Sequence, residues 1–172
     1  MLTMTRKATA IAVFIFALSF ASATFAQGGG GDFSMRAIDG ESVTSQSLRG
    51  EVAVLAFGTS WLPLTRTQLE GVKKLADQYA GKGVAVYWVS VDSDNPKSKN
   101  YVPDDQLRDL ARKYKVTILR DPDGVASRKM GVDQLPSVVI LDKQGNIAAS
   151  IGGMDPNANL TTQLAARLDK IL

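Results

Sequence analysis

Phe57-Gly58-Thr59-Ser60-Trp61-Leu62-Pro63-Leu64-Thr65-Arg66-Thr67-Gln68 joins two segments of different periodicity. Ahead of it, Val52-Ala53-Val54-Leu55-Ala56-Phe57 is a short unbroken apolar run, the pattern of a strand buried on both faces. Behind it, Leu69, Val72, Ala76 and Tyr79 recur at the spacing of one helix face. Pro63 suits the first turn of that helix, where no N–H is needed and the fixed φ is already helical, so a helix is expected from Pro63 to Tyr79. A strand that passes through a short turn into a helix sets the turn at the C-terminal edge of a sheet, with free helix N–H groups facing outward. α/β proteins place their chemistry there. In this chain the position holds Leu62, Pro63, Leu64 and Thr65.

The 172 residues suffice for one domain with a proper core. Residues 1–26 read as a signal peptide: Arg6 and Lys7 form a basic start, Ala10 to Phe20 is almost wholly apolar, and small residues precede cleavage after Ala23 or Ala26. The apolar run is short for a transmembrane span, which needs about 20 residues, and no cysteine follows it to carry a lipid. A periplasmic or secreted protein with no membrane anchor after cleavage is expected. Gln27 to Asp32, with four consecutive glycines, reads as a flexible spacer, and 33–172 as a single domain.

The chain carries 20 basic and 17 acidic residues, net +3. Two of the basic residues lie in the leader, so the remainder has 18 against 17, a surplus too small to follow a phosphate backbone; no nucleic-acid partner is expected. Cysteine and histidine are both absent. Zinc, copper and haem sites lose their usual ligands, and thiol chemistry, His-dependent triads and His acid–base catalysis are closed to this chain. No metal or other cofactor is called for.

Phe33 to Ile38 alternates weakly, as an edge strand would, before an Asp39-Gly40 turn. Val84-Ala85-Val86-Tyr87-Trp88-Val89-Ser90-Val91 is a second strand apolar on both faces, with Tyr87 and Trp88 read as core. Asp92-Ser93-Asp94-Asn95-Pro96 through Tyr101 reads as a solvated loop; its spacing fits no calcium loop. A helix opens at Pro103-Asp104-Asp105, acidic at its start and basic at its end. A short strand at Val116–Leu119, a turn at Asp121-Pro122-Asp123-Gly124 and a helical turn over Val125–Met130 follow. Ser137–Asp142 and Asn146–Ile151 form a hairpin, and the last helix buries Leu160, Leu164, Leu168 and Ile171.

This order, with Leu135-Pro136 just before the hairpin, is similar to the thioredoxin fold: α/β, a central mixed sheet flanked by helices. The residues resemble the exported TlpA/ResA-type thiol–disulfide oxidoreductases of the wider redoxin, AhpC/TSA-related group. That family's run reads approximately F-W-A-T-W-C-P-P-C-R-x-E-x-P, against Phe57 to Glu70 here. Further matches are Val89-Ser90-Val91-Asp92, Asp121-Pro122-Asp123-Gly124 and Val139 to Ile147 followed by Gly152.

The departures fall on the chemistry. Leu62 stands for the nucleophilic cysteine, Thr65 for the resolving one, and Gln68 for the glutamate kept near the thiols. Ala56 occupies the strand position where thioredoxins carry a buried acid. Gln and Ala cannot take up a proton, so acid–base support has gone with the sulfur. A Thr65 hydroxyl would attack a carbonyl only with a base beside it, and none is recognisable. The resemblance implies a cis peptide at Leu135-Pro136, and relatives pair the backbone before this proline with an extended substrate segment. A peptide groove floored by Trp61, Leu62, Pro63, Leu64, Leu135 and Pro136 is therefore expected to outlast the chemistry. The alternative is that Trp61 and Leu62 pack against a loop and Pro136 serves the fold alone. Three functions follow: a redox-inactive module holding an extended segment of an exported partner, a thiol–disulfide oxidoreductase or antioxidant redoxin as the family label implies, or a structural assembly subunit. The second needs a sulfur nucleophile that the chain lacks.

Overall fold

The computed structural model describes residues 31–153, 155 and 159–172. The leader read at 1–26, and residues 27–30 of the spacer, lie outside the described residues. Seven strands form one sheet: β1 (Ser34–Ala37), β2 (Ser42–Thr44), β3 (Val52–Gly58), β4 (Val84–Ser90), β5 (Thr117–Arg120), β6 (Ser137–Leu141) and β7 (Ile147–Gly152), in spatial order β2-β1-β5-β4-β3-β6-β7. Among the described residues four helices accompany them: α1 (Thr65–Gln78), α2 (Asp104–Tyr114), α3 (Val125–Lys129) and α4 (Leu160–Ile171).

β3 lies at the heart of the sheet, parallel to β4 and antiparallel to β6. All seven of its residues are buried. Its alternation feeds two cores, as a strand's period of two requires. Val52, Val54 and Ala56 pack with Leu69, Val72 and Leu75 of α1, Leu107 of α2 and Leu160, Leu164 and Leu168 of α4. Ala53, Leu55 and Phe57 face the other way, onto Phe33, Met35, Leu48, Ala126 and Met130. Burying each of the large side chains on α1 contributes roughly 1.5–3 kcal/mol. The helix–sheet–helix expectation and the mixed sheet are met.

Several boundaries shift by a residue or so from expectation, and two differences bear on the architecture. β1 is not an edge strand: β2 pairs on one side and β5 on the other, both antiparallel. The weak alternation of Phe33–Ile38 misled because β1 is only four residues long and β2, three residues long, supplies the edge. α1 begins at Thr65 rather than Pro63. The Thr65 N–H donates to the Leu62 carbonyl at 3.0 Å, closing a turn before the helical ladder opens with Gln68 N–H to Leu64 carbonyl at 2.9 Å.

Arg120 of β5, almost fully buried, ties the far end together. Its guanidinium donates to the carbonyls of Val102 (2.9 Å) and Asp92 (3.2 Å) and to the Asp104 carboxylate (3.0 Å). Asp104 also meets Arg36 of β1 at 2.9 Å. The hydrogen bond from Arg36 holds the Asp104 carboxyl below the usual carboxylate range, against the opposing effect of partial burial, and the nearby Arg120 and Arg108 add to it.

Candidate functional site

The chain leaves the sheet at Gly58 and reaches α1 through consecutive turns. Leu62 N–H meets the Thr59 carbonyl at 3.5 Å and Thr65 N–H the Leu62 carbonyl at 3.0 Å. The N-cap residue is Leu64, which offers no side-chain cap, and the first turn of α1 contains no acid. The positive end of the helix is therefore left to whatever approaches it.

Gln68 is the pivot of the site. It is fully buried, and its carboxamide is used at both ends. Nε2 donates to the carbonyls of Phe57 (3.1 Å) and Ser137 (3.4 Å), while Oε1 accepts from Trp88 Nε1 at 2.8 Å. One side chain thus joins the end of β3, the start of β6 and the indole of β4. Gly58 makes room for it: a Cβ there would lie 2.6 Å from Gln68 Oε1 and 3.2 Å from the Trp88 ring. The family pattern quoted above has a tryptophan at this point; here Gly58 leaves the space to the amide and the Trp88 indole.

Thr65 is buried, and its hydroxyl donates to the Thr59 carbonyl at 2.5 Å. A backbone carbonyl is no general base, so this hydroxyl serves as a turn brace and not as a nucleophile. Ala56 is sealed in the core opposite Trp88. Trp88 is fully buried as expected for a core residue, whereas Tyr87 is half-buried.

Asp92 was expected in a solvated loop and is instead fully buried. Its Oδ2 accepts from Ser60 N–H at 2.8 Å and from Ser90 Oγ at 2.8 Å. The strand β4 runs straight into it, and Arg120 grips its carbonyl. The carboxylate anchors Ser60, at the base of the turn. Asp92 Oδ1 and Thr59 Oγ1 are buried without hydrogen-bond partners. Sequence reading missed this anchor because the residues following Asp92 are uniformly polar; the period of two, which sets Ser90 and Asp92 on one side, was the available signal.

The residues expected to floor a groove are distributed as follows. Trp61 is 58% exposed, the largest exposed aromatic side chain described. Pro63 is exposed, Leu62, Leu64 and Leu135 are half-buried, and Pro136 is buried. The Leu135–Pro136 peptide is cis, as the resemblance implied. Because Phe57 pairs with Ser137 and Gln68 bridges both, the turn and the Leu135–Pro136 loop share one edge of the sheet. Leu135 also lines a cleft of about 520 Å³ with Val91, Pro122, Gly124 and Val132. That cleft was not singled out from the sequence. Among the described residues no group of three or more acidic side chains is placed to hold a metal ion.

A thioredoxin-like sheet whose strand-to-helix turn and cis-proline loop meet at one edge defines a thioredoxin-fold protein, one with leucine and threonine at the thiol positions. The chain belongs to the AhpC/TSA family, whose model matches residues 30–150. Among curated proteins it is similar to the thioredoxin-like protein YneN of Bacillus subtilis, 31% identical over 118 residues, a match covering 67% of this chain and 65% of that one. It is also similar to the thiol:disulfide interchange protein DsbE of Pseudomonas aeruginosa, 28% identical, covering 76% of this chain and 67% of the relative. Among solved structures, MTB DsbF in its mixed oxidized and reduced forms superposes with a TM-score of 0.63 at 25% identity, covering 81% of this chain and 95% of that one.

Proposed function

We propose that this chain is an exported, redox-inactive member of its family that binds an extended segment of a partner protein at the edge formed by the β3–α1 turn and the Leu135–Pro136 loop. The observation that carries the reading is the placement of an exposed Trp61 and half-buried Leu62 and Leu64 on the same sheet edge as the Leu135–Pro136 loop, in a chain with no sulfur nucleophile. An extended segment laid beside Leu135 gains backbone pairing, and its alternate side chains reach Trp61 on one side and the 520 Å³ cleft on the other. The buried brace of Thr65, Gln68 and Asp92 keeps that edge rigid, which lowers the ordering cost of binding. The apolar leader supports export to the periplasm or beyond the cell. Among the described residues no helix is long and apolar enough to cross a membrane.

The chain has two tryptophans, one buried at Trp88 and one exposed at Trp61. Titration with a library of unstructured, β-branched peptides is expected to shift Trp61 emission to the blue in a saturable way. Trp61→Phe should abolish the emission shift, and Leu62→Asp should weaken binding by tenfold or more, about 1.4 kcal/mol. If no peptide moves the emission, or if Leu62→Asp binds as well as the parent, the edge is not a binding site.

A further inference from the structure

A second surface lies on the outer side of α1, where it meets the end of α2. Arg66, Lys73 and Lys74 of α1 and Lys113 and Lys115 at the α2 terminus line a cleft of about 470 Å³, with Tyr114 as a wall and Glu70 as its one acid. Five cations against one carboxylate give +4. Residues 27–172 together carry only +1, so everything outside the cleft sums to −3. The near-neutral total therefore conceals a strong separation of charge.

The spacing on α1 creates half of it. Positions 66, 70, 73 and 74 fall on one helix face, since residues three and four apart are neighbours. The chain turn at Lys115, whose φ of 54° is left-handed, holds the α2 end beside them. Arg66 on α1 and Tyr114 at the end of α2 both line the cleft, so the two helices wall it together. Lys113 leans over the Tyr114 ring at 5.4 Å from its centroid. Lys73 is ion-paired with Asp77, but among the described residues no carboxylate is ion-paired with Lys74, Lys113 or Lys115. The dipole of α2 accounts for one or two cations at its end; it accounts for none of the three on α1.

We propose that this cleft binds a ligand bearing two or more phosphate groups. The Arg66 fork matches phosphate oxygens, and the lysines supply point charges around it. A cleft of this size exceeds what a single phosphate ion needs and lies in the range of small-ligand sites. Such phosphates reach a protein either free, as an oligophosphate, or displayed side by side on anionic lipid. This site is separate from the proline-edge groove and stands or falls without it.

The test uses the purified protein, inorganic tripolyphosphate and vesicles of phosphatidylglycerol. At low ionic strength, saturable binding of tripolyphosphate is expected by calorimetry, falling steeply with added salt. Lys74→Glu/Lys113→Glu should weaken it at least tenfold. Glu70→Gln should tighten it about threefold, the scale of an exposed charge interaction. All three positions are exposed, and circular dichroism confirms that the variants fold. Vesicle association that tripolyphosphate competes away assigns a lipid headgroup; tripolyphosphate binding without vesicle association assigns a free phosphate. Absence of both, or binding that the charge reversal leaves unchanged, overturns the proposal.

Discussion

Gln68 shows how one atom substituted for another changes what a buried position can do. Both of its donors face carbonyls and its oxygen faces an indole N–H, at zero exposure. Gln68→Glu replaces the NH2 with an oxygen that confronts two carbonyls. A protonated carboxyl still donates one of the two bonds, so the neutral form costs about 1 kcal/mol. The ionised form is desolvated and opposed by the carbonyl dipoles, so its folded pKa must rise above the unfolded value of about 4.3. The sign follows from that. Below pH ~4 both states are protonated and the penalty is small; above it the unfolded state releases its proton first, and stability falls until the folded pKa is passed. Urea unfolding at pH 4 and pH 7 should show the gap between parent and variant widening by about 2–4 kcal/mol. A gap independent of pH would mean that the amide's partners rearrange freely. A glutamate with so raised a pKa is what proton transfer beside a thiol requires; glutamine retains the bonds and forgoes the proton.

Between elements, α1 packs closely against α4 at Gly71. Gly71 is buried, and a Cβ added there would sit 2.9 Å from Leu160 Cβ and 3.1 Å from its Cδ2. Leu160 opens α4, whose N-cap Asn159 accepts the Thr161 N–H at 2.9 Å, so the helix start is fixed in place. Gly71→Ala thus sets two effects against each other. Helix propensity favours alanine by about 1 kcal/mol, while overpacking a seated interface costs about 1–3 kcal/mol. Because the clash is with a Cβ rather than a flexible tip, α4 itself must move, and the expected outcome is net destabilisation of about 1–2 kcal/mol in urea unfolding. A stabilised variant would show that α4 rides loosely on α1. At this scale the sequence was partly legible. The stripe of Leu160, Leu164 and Leu168 and the double-sided apolar strands β3 and β4 declare themselves by period alone. The interior place of β1 does not, because pairing with β5 joins residues 36 and 120, which no local pattern relates.

For the molecule as a whole, what could be read from the chain was what depends on neighbours in sequence: the strand-to-helix turn, the hairpin, the proline loop and the missing thiols. What could not be read depends on distant segments meeting. Asp92 looks solvated until Ser60 and Arg120 close over it, and the charge of the α1–α2 cleft vanishes in a net total near zero. The thiol positions themselves test whether the scaffold is intact. In Leu62→Cys/Thr65→Cys the two sulfurs would stand at either end of the turn that the Thr65 N–H to Leu62 carbonyl bond already closes. The first sits before a helix start that has no acid in its first turn, a setting that lowers a thiol pKa. The double variant is therefore expected to cycle between dithiol and disulfide and to reduce insulin slowly, limited by the absence of a proton carrier at Gln68. Adding Gln68→Glu should then raise the rate by about 10²-fold or more, the usual scale of general acid–base assistance, despite lowering stability near neutral pH. If the folded double variant forms no disulfide, the turn has lost the geometry of a redox site along with its sulfur. If the triple variant is no faster than the double, the Gln68 carboxamide is only a structural brace, and the loss of the acid followed the loss of the thiols without consequence for either.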